Sequence, residues 1–445
     1  MSSLLISNGT IITMDEKRRV LRGQIAIRGD RIVTISEEPI LGDFDRIIDA
    51  TDKLVIPGLI QAHVHLTQSL FRGQADDLVL MDWLKKRVWP LEASHDAESN
   101  YYSAKLGLAE MLLGGTTSII DMETVHHTDD AIRAIDESGI RAITGKCLMS
   151  DDPDLPEGLR QPNDVALRET IDLLNKWHMK DNGRIRYALT PRFAVSCDES
   201  LLLEVARLAE QFNVPIHSHT SESLGEIAII ERKFGKPNVE YLHQIGLTGP
   251  HVILAHCVWL NEREERILVD TKTKICHCPS SNLKLASGIA RIPELRNLGA
   301  EVSLGSDGAP CNNNMDLFTE MRLAALIHKA RLGDPQALRA GEVLEMATRG
   351  GARAMGQADE IGSLEVGKKA DVTIVSLNDA HQQPARYIDP VAQLVYSSTA
   401  QDVYATIVGG RILMENRKLL TLDWDDILHT TNRIIGEKLT RLGMR

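Results

Sequence analysis

Between residues 54 and 310 the chain alternates two hydrophobic patterns. Short, nearly continuous apolar runs at 54–64, 116–122, 140–149, 184–193, 213–222, 251–260, 273–282 and 301–310 read as buried strands. Between them lie longer segments with helical apolar spacing, including 96–113, 129–138, 164–179, 199–212, 291–298 and 317–330. Strands apolar on both faces belong to parallel sheets covered by helices on each side. Eight such units in about 300 residues predict an α/β fold of the (β/α)8 TIM barrel type. The competing doubly wound sheet would carry a glycine-rich phosphate loop after a strand, and none follows here.

Both ends of the chain are patterned differently. The first fifty residues form short alternating runs broken by turns, as at Gly29-Asp30, and read as β-hairpins. Similar material returns at 370–377 and 403–420, with a turn at Gly409-Gly410. The pattern predicts one small β-sandwich built from both terminal segments. The domains expected are residues 1–57 for its first part, 58–360 for the barrel, and 361–445 for its second part. An amphipathic helix is expected after Asp423.

Composition narrows the partners. Of 445 residues, 43% are hydrophobic and 25% charged, with a net charge of −12. That balance argues against nucleic acid and against an anionic membrane surface. No apolar run reaches the ~18–20 residues that span a bilayer. The N-terminus lacks a basic stretch followed by a long apolar one, so a cytoplasmic location is expected. The six cysteines (Cys147, Cys197, Cys257, Cys276, Cys278 and Cys311) lack paired spacing and read as small buried hydrophobes. Cys276-His277-Cys278 has no second half that would make it a zinc site.

Functional groups of a barrel collect where its strands end, at the C-terminal face. His63 and His65 end the first strand, one residue apart, and so share a face. His217, His219 and Glu222 end the fifth, His256 the sixth and Asp307 the eighth. Three imidazoles and a carboxylate suit zinc or a similar divalent ion with a position left for water. His63, His65, His219 and Asp307 are the expected ligands. Both His217 and His219 point to the same face; His219 is preferred because Glu222 then lies where it reaches the activated water. Glu222 and Asp307 are the expected proton carriers, and His256 the group that orients or stabilises the developing oxyanion. The fourth strand carries no lysine that could bridge two metals, so one ion per chain is expected: Zn2+, with Fe2+ or Mn2+ as alternatives.

Taken together, His63-x-His65, His219-x-x-Glu222, His256 and Asp307 resemble the amidohydrolase superfamily, in its mononuclear aminohydrolase branch. The stretches 69–92, 280–290 and 303–322 are most similar to the methylthioadenosine/S-adenosylhomocysteine deaminases. That resemblance implies a metal-activated water attacking a purine carbon that bears an amino group. The substrate would be a 6-aminopurine nucleoside, and the subunit part of a homo-dimer or tetramer. It also implies that Trp83 covers the base, Glu92 meets a ribose hydroxyl and Arg160 serves the substrate's polar tail. Lys146 stands where that family has arginine, and Arg192 where it has histidine. Gln68, Arg192 and the His219–Glu222 motif also resemble guanine deaminases, in which the matching glutamine and arginine hold an oxopurine. Guanine, another oxo-heterocycle or an s-triazine is therefore the alternative substrate. A non-catalytic scaffold would lack one of the acids Glu222 and Asp307, and both are present.

Overall fold

The computed structural model describes residues 2–150 and 155–444. The N-terminal strands are β1 (Ser3–Ile12), β2 (Val20–Arg28), β3 (Arg31–Ser36), β4 (Arg46–Asp49) and β5 (Lys53–Pro57). The central region holds β6 (Leu59–His65), β7 (Thr116–Met122), β8 (Arg141–Gly145), β9 (Cys147–Leu148), β10 (Ile185–Tyr187) and β11 (Thr190–Pro191). It continues with β12 (Ile216–Thr220), β13 (Val252–His256), β14 (Lys274–His277), β15 (Glu301–Leu304) and β16 (Asp307–Gly308). At the C-terminal end lie β17 (Val372–Ser376), β18 (Val403–Val408), β19 (Arg411–Glu415) and β20 (Lys418–Leu419).

Central strands pair in parallel, in the orders β10-β8-β7-β6-β16, β11-β9 and β12-β13-β14-β15. A parallel bridge between Leu189 and Ile216 links the fourth and fifth strand segments. Two expected strands are interrupted. The run 140–149 breaks after Gly145 and the run 184–193 after Tyr187, and their ends pair separately as β9 and β11. A Cβ on Gly145 would lie 2.2 Å from the Ala188 carbonyl oxygen, so the backbones cross too closely there for any side chain.

The run 54–64 is also two strands. β5 pairs with β1 and β17, whereas β6 pairs with β7 and β16. The chain changes sheets at Pro57-Gly58, where a Cβ on Gly58 would sit 2.0 Å from Thr117 Oγ1. Because β5 bonds to strands from both ends of the chain, the terminal segments form one nine-stranded sheet. The expectation was one small β-sandwich built from both terminal segments. Ile6, Ile25, Ile27, Val55, Ile374 and Ile407 are among the residues of its core.

β6 carries a further irregularity. Ile60 and Ala62 belong to the same apolar cluster as Ile120 and Ile253, whereas Leu59 and Val64 belong to the larger cluster under the helices. Strict alternation from Ile60 and Ala62 would send His63 and His65 to the helix side. The register with β7 shifts between Gln61 and Val64, and a bulge of this kind reverses which face a side chain takes. Both histidines thereby turn toward β12 and β16.

Helices cover the strands close to their expected positions: Ala97–Leu113, Thr128–Ser138, Asn163–Trp177, Glu199–Phe212 and Leu317–Leu332. Asp96 caps the first, its carboxylate accepting from Ser99 N while Ser99 Oγ accepts from Asp96 N. The C-terminal helix Trp424–Arg441 docks Ile434 beside Leu70, Phe71 and Leu91, and so supports the segment leading from β6 into the site. Among the described residues no helix is long and apolar enough to cross a membrane. All six cysteines are free and buried.

The terminal sheet and the central region share a buried ion pair. Arg141, at the start of β8, donates through Nε (2.7 Å) and Nη2 (3.0 Å) to the Asp371 carboxylate. Arg141→Met would strand that carboxylate with the Gly409 amide as its remaining donor among the described residues. The expected loss in unfolding free energy is about 3–5 kcal/mol. Urea denaturation measures it, and unchanged stability would mean that the pair does not join the two parts.

Candidate active site

His63, His65, His219 and Asp307 come together at the ends of β6, β12 and β16, with one donor atom from each lying within 4.8 Å of all the others. Their tautomers follow from what surrounds each ring. His65 Nδ1 lies 2.9 Å from the Met122 carbonyl oxygen and His219 Nδ1 2.6 Å from that of Arg192. Both carbonyls accept only, so each Nδ1 carries the proton and each Nε2 keeps its lone pair. His63 Nδ1 lies 2.7 Å from His217 Nε2, and His217 Nδ1 lies 3.2 Å from the Ile253 carbonyl oxygen. The chain of donors therefore runs from His63 to His217 to Ile253, and it leaves His63 Nε2 as a bare acceptor.

The three Nε2 atoms converge. His65 and His219 place theirs 3.1 Å apart, and Asp307 Oδ1 lies 3.3 Å from His63 Nε2 and 3.4 Å from His65 Nε2. His63 Nε2 is buried with no hydrogen-bond partner. An orphaned buried nitrogen costs about 1–3 kcal/mol. Burial holds His63 down to about 4 and His219 well below its ordinary value, so both rings are neutral, as metal binding requires. Burial works against ionisation of Asp307, but the positive charge of His256 opposite holds its carboxyl below the usual range. Neutral imidazoles, an ionised carboxylate and lone pairs without partners fit a divalent cation.

A second acid–base pair flanks this cluster. His256 Nε2 is 3.6 Å from Glu222 Oε2 and 3.9 Å from Asp307 Oδ2, and it too lacks a hydrogen-bond partner. Burial pushes the Glu222 carboxyl up to about 7, against the pull of His256. Burial would lower the His256 pKa, yet the carboxylates of Glu222 and Asp307 raise it above its ordinary value. Three neighbours position these groups. Asn282 Oδ1 accepts from His256 Nδ1 (2.9 Å), Ser281 Oγ donates to Asp307 Oδ2 (2.7 Å), and Ser287 Oγ donates to Glu222 Oε1 (3.2 Å). Ser221, His256, Cys257 and Asp307 hold φ of +53°, +73°, +48° and +63°. Such strain in non-glycine residues persists where surrounding bonds enforce it.

A cleft of about 360 Å3, counting its mouth, opens onto the cluster, and Leu80, Trp83, Leu84, Phe193 and Leu285 form its apolar walls. Trp83, expected over the base, is one of these walls. Arg192 also lines the cleft, but its Nη1 donates to Glu92 Oε2 at 2.6 Å. Gln68 Nε2 donates to Glu92 Oε1 at 2.7 Å, and Gln68 is buried beneath Gly308 rather than facing the cleft. These three expected substrate contacts thus form one buried network. Lys146 and Arg160 are not brought to the cleft. The Lys146 ammonium is buried against Glu169 (3.0 Å) and the Val125 carbonyl. Arg160 is exposed, with Nε donating to the Leu155 carbonyl at 3.0 Å.

Ser281, Asn282 and Ser287 were not foreseen as site residues, although they lie within the stretch 280–290 that carried the resemblance. Their polar groups on an otherwise apolar loop were the available signal. With this arrangement His217→Ala keeps all four converging donors and is expected to weaken metal binding about 10–100-fold. His219→Ala deletes a donor and is expected to leave the purified protein metal-poor. Chelator competition and elemental analysis check both, and equal losses would contradict the assigned tautomers.

Comparison with known proteins bears on this geometry. The model of the amidohydrolase family matches residues 54–413. A 5-methylthioadenosine/S-adenosylhomocysteine deaminase of Syntrophobacter fumaroxidans is 39% identical over 438 residues, which is 97% of this chain and 98% of that protein. A 5'-deoxyadenosine deaminase of Methanothermobacter thermautotrophicus is 40% identical over 421 residues, 95% of each chain. Among solved structures, an adenosine deaminase from Xanthomonas campestris with bound zinc superposes with a TM-score of 0.92 at 31% identity, covering 99% of both chains. With its histidine and aspartate cluster at the ends of parallel strands, this chain belongs to the amidohydrolase family.

Proposed function

We propose that the protein is a metal-dependent deaminase that converts the 6-amino group of a purine nucleoside to an oxo group, releasing ammonia. The observation that carries this reading is the convergence of three imidazole Nε2 atoms and Asp307 Oδ1 beside the Glu222–His256 pair. Relatives at 39% and 40% identity over nearly the whole chain, named for deamination of adenosine-type nucleosides, support the substrate class. We read the parallel ladders as one closed eight-stranded barrel of residues 58–360, joined at the Leu189–Ile216 bridge and at β16 against β6. The metal is read as a single ion, and as zinc because the Xanthomonas campestris structure has bound zinc.

His63, His65, His219 and Asp307 would hold the ion, whose Lewis acidity makes water a nucleophile near neutral pH. Asp307, kept ionised, accepts a proton from the attacking water at Oδ2, the oxygen that also accepts from Ser281. Glu222 is poised at about 7, so it gives a proton to the ring nitrogen beside the reacting carbon and recovers one as the intermediate collapses. His256, its Nδ1 fixed by Asn282, turns a charged Nε2–H toward the oxygen on which negative charge develops. The leaving amino group takes the one proton held by Asp307 and departs as ammonia, while the proton Glu222 recovers comes from the hydroxyl left on the reacting carbon.

The Glu92 network supports a nucleoside over an oxopurine: Gln68 and Arg192 both donate to its carboxylate, so the two groups that would grip an oxopurine are already engaged. Lys146 and Arg160 do not line the cleft, while Leu80, Trp83, Leu84, Phe193 and Leu285 do, and this favours small apolar 5′ substituents over an amino-acid tail. Steady-state assays are expected to give ammonia release from 5′-methylthioadenosine and 5′-deoxyadenosine, with slower turnover of S-adenosylhomocysteine and none of guanine. Guanine turnover without nucleoside turnover would overturn the reading. Glu222→Gln should retain its metal and lose about 10²–10⁴-fold in kcat; full activity would remove Glu222 from the mechanism.

A further inference from the structure

The helix Leu317–Leu332 buries Leu317, Phe318, Met321, Ala324 and Ala325, and on that same face it buries a carboxylate, Glu320. Glu320 is 0% exposed, and among the described residues no lysine or arginine pairs with it. A charged group on an apolar face is costly unless bonds hold it. Two do: Oε2 accepts from the Ser280 backbone N–H at 3.1 Å, and Oε1 accepts from Asn312 Nδ2 at 2.8 Å. These donors lie on different loops, in the short helices Pro279–Lys284 and Ala309–Asn312 that begin the connections after β14 and β16.

Both loops lead directly to the reacting groups. Ser280 precedes Ser281, which donates to Asp307, and Asn282, which accepts from His256. Asn312 donates through the same Nδ2 to the Ser306 carbonyl at 2.7 Å, and Ser306 is the residue before Asp307. Ser306 N donates in turn to Gln61 Oε1 at 3.0 Å, and Gln61 lies within the irregular part of β6 that aims His63 and His65. The strained φ of +63° at Asp307 is therefore enforced by a set of bonds with Glu320 at its base. Burial pushes the Glu320 carboxyl up to about 7, a mark of how dry its position is.

We propose that Glu320 is a positioning residue for the deamination: one carboxylate clamps the loop that orients His256 and the loop that presents Asp307. The inference rests on the deaminase reading above. A carboxylate suits the place because both of its neighbours are donors. Glutamine keeps the volume but turns an amide N–H₂ toward one of them.

Turnover of 5′-methylthioadenosine by the zinc-loaded protein tests the clamp. Glu320→Ala and Glu320→Gln are expected to lower kcat about 10–100-fold, the loss usual for groups that orient a metal site, with KM changed less than about 3-fold. Asn312→Ala should lower kcat in the same way. The double variant Glu320→Ala, Asn312→Ala should be no worse than Glu320→Ala, because the two act as one unit. Glu320→Asp should recover part of the loss. Wild-type kcat in the alanine variants, a kcat loss matched by loss of zinc or of folded protein, or additive losses in the double variant would each overturn the proposal. Should the Glu320 variants fail to fold, Asn312→Ala decides by the same criteria. An unaltered protein that turns over no nucleoside would instead overturn the deaminase reading itself.

Discussion

An imidazole buried away from water has two nitrogens to satisfy, and the whole site depends on how that demand is met. His65 and His219 each spend Nδ1 on a backbone carbonyl, and His63 spends its own on His217, which ends at the Ile253 carbonyl. Every remaining lone pair then faces the same small space, with Asp307 closing it. In a low-dielectric pocket such an arrangement is unfavourable without a cation, so the free energy held in the orphaned nitrogens favours metal uptake. It also settles the choice between the two histidines of β12. His217 has no nitrogen left to give, whereas His219 has one.

Such a lock requires that backbone and side chain be placed together. The shift of register in β6 turns His63 and His65 inward, and β16 brings Asp307 alongside them by pairing with Val64 and His65. Left-handed backbone at Ser221, His256 and Asp307 is enforced by bonds such as those of Glu226 to the Ser221 and Glu222 amides. Farther out, the C-terminal helix packs on Leu70, Phe71 and Leu91, steadying the segment from which Gln68, Trp83 and Glu92 reach inward. The terminal sheet is tied to the central strands through Arg141 and Asp371. Each layer supports the next, and the chemistry sits where the supports meet.

How much of this was legible in the sequence depends on the range of the interaction. Period-two spacing placed His63 and His65 together, and strand ends placed His219, His256 and Asp307 with them, because both rules are local. The bulge in β6 was invisible, since Ile60 and Ala62 alternate perfectly up to the point where the register shifts. The boundary expected between residues 57 and 58 falls within an apolar run that looks continuous, and only the approach of Thr117 shows why a glycine stands there. Alternating patterns at both termini suggested one small sandwich built from them together, but that they share a single ladder depends on β5 meeting both β1 and β17. Lys146 was placed from a matching position in the chain, while its direction is set by Glu169 and the Val125 carbonyl. Glu320 could have been found, since it falls on the apolar stripe of Leu317, Met321 and Ala324, where a carboxylate needs an explanation.

The account is tested most directly by a crystal structure of the metal-loaded protein with anomalous diffraction measured at the absorption edge of the bound ion. The expected result is one ion per chain, bonded to Nε2 of His63, His65 and His219 and to Oδ1 of Asp307, with His217 bonded to His63 and to Ile253. Ligation through any Nδ1, a bond from His217 to the ion, or a second ion in the cluster would contradict it.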